Sequence, residues 1–222
     1  MSEPGWVATL REALADPARL APTVAVRPGV GGRPAAVLIA LAERPAGPEV
    51  VFIERAGTLR THAFQIAFPG GAADPTDVDL ADTALREAEE EIGLDRADVE
   101  VLGQLPPAHV SVSGFDVTAV VAWWRKPAAL HVVDVAEVAS VPVVAVSRLV
   151  DANFRARVRH PAGYVGPAFE VDDHLIWGLS AHFLDAVLDL AGWQQPWDHT
   201  RELPIPPRYL TSHPDSGGPD AH

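Results

Sequence analysis

The stretch FPGGAADPTDVDLADTALREAEEEIGL, residues 68–94, joins a glycine pair to a segment dense in carboxylates. Asp79 is a residue type that caps helix N-termini, and Gly93 is a type that ends helices. This spacing predicts a helix over residues 80–92. Four glutamates lie in its second half, at positions 87, 89, 90 and 91. Like charges at this spacing repel one another unless a cation lies among them.

Helix geometry divides these glutamates into two groups. At about 100° per residue, Glu90 lies about −60° and Glu91 about +40° from Glu87, whereas the apolar residues of the helix lie between about 60° and 160°. Three carboxylates therefore border the face that packs against the rest of the protein. Glu89 points elsewhere, and we leave it out of the cluster.

Two interpretations fit this acidic helix. Charge runs on helices are usually solvated faces, and residues 87–91 taken alone favour that interpretation. The glycine pair favours a site, because glycine lets the backbone pass close to a ligand. Carboxylate oxygens also suit hard divalent cations such as Mg²⁺ and Mn²⁺. Spacing alone leaves the two interpretations balanced.

The same segment resembles the Nudix box, G-x5-E-x7-R-E-U-x-E-E-x-G-U, in which U is a bulky aliphatic residue. Residues 86–94, REAEEEIGL, match its second half with Ala88 in the first U position, and Gly71 matches its leading glycine. Two departures lie between these parts. Asp77 replaces the first glutamate, and eight residues rather than seven separate it from Arg86.

Both departures, and a motif directly upstream, resemble the branch of Nudix hydrolases that acts on coenzyme A. That branch carries L-L-T-x-R-[SA]-x3-R-x3-G-x3-F-P-G-G, and residues 51–71 read VFIERAGTLRTHAFQIAFPGG. Arg55, Arg60 and the closing FPGG are in register, whereas Phe64 stands where the motif has glycine. The resemblance extends over residues 30–192.

The resemblance implies an α/β fold, specifically an α/β/α sandwich with a mixed β-sheet, and metal-dependent hydrolysis of a diphosphate bond. In the coenzyme A branch the products are 3′,5′-ADP and 4′-phosphopantetheine. It implies that Mg²⁺ or Mn²⁺ binds Glu87, Glu90 and Glu91, one of which can instead act as the base. Arg86 is expected to orient Glu91 or Asp77.

Further site residues follow from the same resemblance. Six residues of the upstream motif are expected to shape the loop or contact substrate: Arg55, Arg60, His62, Phe64, Gly70 and Gly71. A further acidic ligand outside the helix is common in the family, and Glu137 is the first choice for it, followed by Glu170.

Two other functions stay open at this point. One is hydrolysis of other nucleoside diphosphate derivatives, such as ADP-ribose or NADH, because Phe64 would reshape the pocket. The other is a non-catalytic Nudix-fold regulator that only binds its ligand. The retained box acids Glu87, Glu90 and Glu91 argue against the second.

Composition limits the class of protein. The chain has 222 residues, of which 48% are hydrophobic and 21% charged, so it can build a core. A net charge of −13 and the absence of cysteine disfavour a nucleic-acid partner and exclude thiolate chemistry. The sequence shows no signal peptide and no apolar run that could span a bilayer. We therefore expect a cytoplasmic protein that acts on a small molecule, as a monomer or homodimer.

Periodicity and punctuation predict the remaining elements. Helices are expected at residues 4–14 and 176–191, with strands at 35–42, 49–55, 98–105, 115–124, 139–146 and 154–160. We divide the chain into an N-terminal helix and linker (1–29), a Nudix hydrolase domain (30–192) and a Pro/Gly-rich tail that is partly disordered (193–222).

Overall fold

The computed structural model describes residues 3–24, 28–59, 61–111, 113–161 and 163–210. Within these ranges the helices are α1 (Gly5–Leu14), α2 (Pro17–Leu20), α3 (Leu80–Ile92), α4 (Val146–Leu149) and α5 (Gly178–Leu190). The strands are β1 (Arg33–Arg44), β2 (Gly47–Val51), β3 (Ile53–Arg55), β4 (Ile66–Ala67), β5 (Gly70–Ala72), β6 (Val99–Gln104), β7 (Ala108–Val110), β8 (Phe115–Trp124), β9 (Val138–Ser140), β10 (Val143–Ala145), β11 (Arg155–Arg159), β12 (Val165–Val171), β13 (His174–Ile176) and β14 (Glu202–Leu203). Across the same ranges, no helix combines the length and apolar character needed to cross a bilayer.

A seven-stranded sheet forms the centre, in the order β10-β2-β1-β8-β6, with β5 paired to β1 and β7 paired to β8. Strands β1 and β8 run parallel, whereas their other pairings are antiparallel. The sheet is therefore mixed, as expected. Two smaller sheets, β13-β12-β11-β14 and β4-β3-β9, complete the fold.

Both faces of the central sheet are buried. Successive side chains of a strand point to opposite faces, and Leu38 of β1 lies in one apolar cluster with Ala84 and Ala88 of α3. Its neighbour Ile39 lies in the other cluster, with residues of α1 and α5 such as Leu10 and Leu184. Helices thus cover both faces, which confirms the α/β/α arrangement.

Two predicted strands are each divided between sheets. Residues 49–55 form β2 and β3, and residues 139–146 form β9 and β10. Strand β2 pairs with β10 in the central sheet, while β3 pairs with β9 in the three-stranded sheet. At the point of transfer the Phe52 N–H donates to the Pro142 carbonyl oxygen at 2.8 Å. The prediction of single strands was wrong here because a continuous apolar run does not reveal a change of partner.

The glycine-rich stretch before β1 is held by one carboxylate. Backbone N–H groups of Val30, Gly31 and Gly32 all donate to Oδ2 of Asp116, at 3.0, 2.8 and 2.8 Å. These three amides therefore already bind an anionic group from within the chain. The clasp fixes where β1 begins, next to the start of β8.

The C-terminal segment packs on the domain as far as the structure describes it. Strand β14 pairs in parallel with β11, and Ile205 and Tyr209 are buried in a small apolar cluster. The Gln65 side chain donates to the Tyr209 carbonyl oxygen at 3.1 Å. Residues 211–222 lie outside the described residues, so the disorder expected there stays a prediction, as does the division into three segments.

Candidate active site

Helix α3 forms where its end signals predicted. The Asp79 carboxylate accepts a hydrogen bond from the Asp82 N–H at 2.8 Å, which caps the N-terminus. Gly93 takes the left-handed conformation, φ +68°, and ends the helix. Ala84, Ala88 and Ile92 are fully buried against the central sheet, so the face that carries the glutamates is fixed in rotation.

The three glutamates of the cluster differ strongly in exposure. Glu91 is 3% exposed, and the side chains of Glu87 and Glu90 are 19% and 59% exposed. The order follows their angular distance from the apolar face of the helix. Glu89 is exposed, and among the described residues no hydrogen bond joins its side chain to this cluster.

Glu91 is the buried acid of the site. Its Oε2 accepts a hydrogen bond from the Gly70 N–H at 2.9 Å, whereas its Oε1 is buried and has no hydrogen-bond partner among the described residues. The pKa of this carboxyl is raised to about 8, mainly by burial and also by the negative charges of Glu87 and Glu137. A buried carboxylate oxygen without a partner is costly, so this position favours a bound cation.

Gly71 makes room for Glu87. A Cβ atom at position 71 would lie 2.6 Å from the carboxyl carbon of Glu87, so only glycine allows the carboxylate this close to the loop. Burial raises the pKa of Glu87, and hydrogen bonding to Arg86 opposes that shift. The glycine loop and the acidic helix are thus in direct contact.

Gly70 is required for a different reason. It lies against β1, and a Cβ atom there would collide with the Ala36 carbonyl oxygen and lie 2.6 Å from the Cα of Val37. The close approach of these two backbones places the Gly70 N–H against Glu91. Gly70 therefore shapes the loop through the sheet, and Gly71 shapes it through the helix.

Arg86 joins the acids of the helix to the preceding loop. Its Nε and Nη2 donate to the two oxygens of Asp77 at 2.9 and 3.1 Å, a bidentate pairing. Its Nη1 donates to Glu87 and Glu90 at 2.9 and 3.0 Å. Of the two partners expected for Arg86, the structure places Asp77 against it, and no described hydrogen bond joins it to Glu91.

Asp77 is an anchor that faces inward, with its side chain 4% exposed. The Thr83 hydroxyl and the Asp74 N–H also donate to its Oδ2, at 2.8 and 2.9 Å. Hydrogen bonds from Arg86 are the main reason that the pKa of Asp77 lies well below its usual range. The sequence analysis did not predict that Thr83 and Asp74 bind Asp77. For Thr83 the sequence does hold an indication, because this residue lies one helical turn before Arg86 on the same side of the helix.

Arg55 and Glu137 border this site from other elements. The Arg55 Nε is buried without a hydrogen-bond partner among the described residues, and the positive charge of Arg55 lowers the pKa of Glu91. Glu137 is exposed, and its charge raises the pKa of both Glu87 and Glu91. Glu170, the second choice for a further ligand, instead pairs with Arg201 at 2.8 Å.

The loop between β3 and β4 carries the remaining expected residues. His62 and Phe64 both have positive φ angles, 60° and 64°. The His62 ring lies 3.1 Å from the Gln65 side-chain oxygen, and Phe64 is 41% exposed. Arg60, expected to contact phosphate, lies outside the described residues.

The donor set fits a divalent cation in chemistry. Carboxylate oxygens are the ligands that Mg²⁺ and Mn²⁺ prefer, and the unpartnered Oε1 of Glu91 marks where positive charge is lacking. Among the described residues, however, no three His, Asp or Glu side chains already stand together as a finished metal site. Arg86 binds one oxygen of Glu87 and one oxygen of Glu90, and a carboxylate held in this way can still bind a cation through its second oxygen.

Comparison with known proteins identifies the family of this chain. A model of the NUDIX domain matches residues 32–162. The Uncharacterized Nudix hydrolase NudL of Photorhabdus laumondii is 39% identical over 151 residues, covering 67% of this chain and 80% of that protein. The protein of the same name from Pectobacterium atrosepticum is 38% identical over 161 residues, covering 70% and 81%. A crystal structure of a Nudix hydrolase from Nitrosomonas europaea matches at 14% identity and a TM-score of 0.48, covering 80% of this chain and 81% of that one.

This chain therefore belongs to the Nudix family. Members are pyrophosphohydrolases that act on nucleoside diphosphate derivatives and generally use divalent metal ions.

Proposed function

We propose that this enzyme hydrolyses the diphosphate bond of coenzyme A or its derivatives, with Mg²⁺ or Mn²⁺, and releases 3′,5′-ADP and 4′-phosphopantetheine or its acyl form. Residues 30–192 would carry the activity, flanked by residues 1–29 and 193–222. The net charge of −13 supports a small-molecule substrate rather than nucleic acid. We further infer a cytoplasmic monomer or homodimer.

One observation carries the proposal: the partly buried cation of Arg55 acts electrostatically on the buried acid Glu91. Arg55 is close enough to Glu91 for its charge to lower the pKa of that carboxyl, and each of the two side chains keeps a buried polar atom without a partner among the described residues. A cation bound to Glu91 would satisfy the carboxylate oxygen, and an oxygen of a diphosphate bound to that cation would accept a hydrogen bond from Arg55. Arg55 belongs to the upstream motif that resembles the coenzyme A branch, which supports that substrate.

Each residue of the site has a role that its geometry supports. Glu91, Glu87 and Glu90 would hold the cation, which when bound neutralises diphosphate charge and activates water for attack on phosphorus. Gly70 and Gly71 would shape the substrate-binding loop by letting it pack closely against β1 and against Glu87. Arg86 and Asp77 hold the N-terminal half of the helix to the loop.

The base is one of the three carboxylates. Glu87 is partly buried, and burial raises its pKa, so it accepts a proton more readily than an ordinary glutamate. Arg55 would bind a phosphate oxygen, and Arg60 is expected to meet the 3′-phosphate that distinguishes coenzyme A. Glu137 would supply a further carboxylate at the edge of the site.

A second candidate is hydrolysis of other nucleoside diphosphate derivatives, such as ADP-ribose or NADH. The observation that favours it is Phe64, which replaces the glycine of the coenzyme A motif and occupies space beside Arg55. The same helix would serve either substrate, because it acts on the diphosphate that they share.

The test is incubation of the protein with coenzyme A, ADP-ribose and NADH, each with Mg²⁺ or Mn²⁺, followed by chromatography of the products. Glu90→Gln removes a cluster carboxylate, and Glu89→Gln is the matched control one position away on the same helix. Release of 3′,5′-ADP from coenzyme A that is lost in Glu90→Gln and kept in Glu89→Gln is the expected result.

Other outcomes point elsewhere. Cleavage of ADP-ribose or NADH but not coenzyme A supports the second candidate and rejects the coenzyme A assignment. Equal activity of the two variants contradicts the role given to Glu90. Ligand binding without cleavage under any condition would make the protein a binding regulator.

A further inference from the structure

Phe64 has a backbone conformation that costs free energy. Its φ angle is +64°, in the left-handed region that large side chains rarely adopt. Glycine adopts this conformation without strain, and the upstream motif has glycine at this position. The structure thus gives the physical reason for glycine there and shows that phenylalanine at position 64 is a strained choice.

The ring is only partly buried in the folded chain. Phe64 is 41% exposed, whereas its neighbours Ala63 and Ile66 are 4% and 3% exposed. These two neighbours anchor the loop to the core, and Phe64 does not. A large aromatic residue that is both strained and exposed calls for a reason outside the folded chain itself.

The ring is nevertheless held in place. Its edge lies over the Cα of Gly57, where any added Cβ would collide with ring carbons Cζ and Cε1. The absence of a side chain at Gly57 therefore leaves the space in which the Phe64 ring packs. A fixed ring with part of its surface exposed presents a flat apolar platform.

The platform is tied to the candidate active site through the backbone. The Phe64 N–H donates to the Arg55 carbonyl oxygen, and the Arg55 N–H donates to the Gln65 carbonyl oxygen, both at 3.0 Å. Arg55 is the residue whose charge acts on Glu91. One backbone hydrogen bond therefore links Phe64, which carries the platform, to Arg55, which is proposed to bind phosphate.

We propose that Phe64 is a substrate-binding residue whose ring stacks on the nucleobase of the substrate. A nucleobase is the flat part of a nucleoside diphosphate derivative, and stacking on an exposed aromatic ring is tolerant of base identity. The inference rests on the proposed function, because it assigns the residue that contacts the nucleobase of the same substrate. It also gives a functional reason for the strained backbone at position 64.

The test is calorimetric titration with AMP and with ribose 5-phosphate, two monophosphates that differ in the base and contain no diphosphate bond to hydrolyse. Phe64→Gly should weaken AMP binding about fivefold or more, leave ribose 5-phosphate binding unchanged, and raise the melting temperature because the strain is relieved. Phe64→Trp should keep AMP binding, and Gly57→Ala should weaken it by displacing the ring.

Asp173→Gly is the matched control, because Asp173 has a φ angle of +66° in the turn between β12 and β13. It relieves the same kind of strain and should leave AMP binding unchanged.

The inference is overturned if the parent protein binds AMP no better than ribose 5-phosphate, if Phe64→Gly weakens both ligands equally, or if it weakens neither. None of these readouts requires hydrolysis. An enzyme that fails to cleave coenzyme A but loses AMP binding in Phe64→Gly would contradict the proposed function and support the stacking role.

Discussion

Oε2 of Glu91 accepts a hydrogen bond from the backbone N–H of Gly70 at 2.9 Å, while Oε1 of the same carboxyl is buried without a partner among the described residues. One oxygen thus fixes the glycine loop against the helix, and the other is left for a ligand. This contact connects the two halves of the motif, which are 21 residues apart in sequence.

Removal of the Glu91 charge should change how stability depends on pH. The pKa of Glu91 in the folded protein is about 8, above its ordinary value of 4.5. Below pH 4.5 both the folded and unfolded states keep the proton, so stability is greatest with respect to this group. As pH rises towards 8 the unfolded state loses its proton first, and stability falls by up to about 1.4 kcal/mol per pH unit.

Urea denaturation in EDTA between pH 5 and pH 8 measures this effect. The free energy of unfolding of Glu91→Gln should fall less steeply with pH than that of the parent, and Glu89→Gln should follow the parent. Saturating Mn²⁺ should flatten the parent curve because a cation stabilises the ionised carboxylate. Parallel curves for Glu91→Gln and the parent in EDTA would show that this carboxyl does not titrate as described.

Asp77 and Arg86 should be strongly coupled. They share a bidentate pairing, and the Asp77 side chain is 4% exposed. In a double-mutant cycle with Asp77→Asn and Arg86→Gln, the coupling energy should be about 1–3 kcal/mol, since either single change leaves a partly buried charge without its partner. Denaturant unfolding of the four proteins measures it, and additive effects would contradict the pairing.

Alanine at the two glycines should separate folding from activity. Gly70→Ala places a methyl group against the backbone of β1, so it should lower the melting temperature markedly. Gly71→Ala places it 2.6 Å from the Glu87 carboxyl carbon, so it should displace that side chain and lower kcat while the fold is retained. Thermal melts and kcat measured on both variants test this, and equal loss of stability in the two would count against it.

Arg155 should be essential to stability but not to chemistry. It is 1% exposed, pairs with Asp185, and lies over the rings of Phe169 and Trp197 at 4.3 and 4.7 Å. Arg155→Ala should cost about 2–5 kcal/mol because it empties a buried position.

The control for that change lies on the same strand. Arg159 pairs with Glu202 through a side chain that is 61% exposed, so Arg159→Ala should cost at most about 1 kcal/mol. Denaturant unfolding compares the two variants, and similar losses would mean that the buried contacts of Arg155 contribute little.

Local signals predicted the central elements of the fold. The bounds of α3 and β8 agree with prediction because each has clear ends and a uniform pattern. Arg155 of the predicted strand over residues 154–160 is buried, although arginine is a residue type that usually lies at the surface. Its partners Asp185 and Trp197 lie far along the chain, so no window of sequence around Arg155 could indicate them.

The candidate site was predictable to the level of which carboxylates face the same way. The helical angles of Glu91, Glu87 and Glu90 anticipate their order of burial, since the side chain nearest the apolar face is the most buried. The hydrogen bonds from Arg86 to Glu87 and Glu90 and the strained backbone of Phe64 depend on how the chain is arranged in three dimensions. The sequence alone therefore does not predict them.

The parallel pairing of β1 with β8, in which Arg33 lies opposite Phe115, has a consequence for how the enzyme reaches its active form. The glycine loop and the acidic helix both lie inside the long chain segment that this pairing closes. Contacts between residues so distant in sequence form slowly, on a timescale of about milliseconds to seconds. A chain halted during synthesis before β8 would therefore hold every carboxylate of the box yet lack the sheet that aligns them, and the ability to bind metal should emerge late in folding.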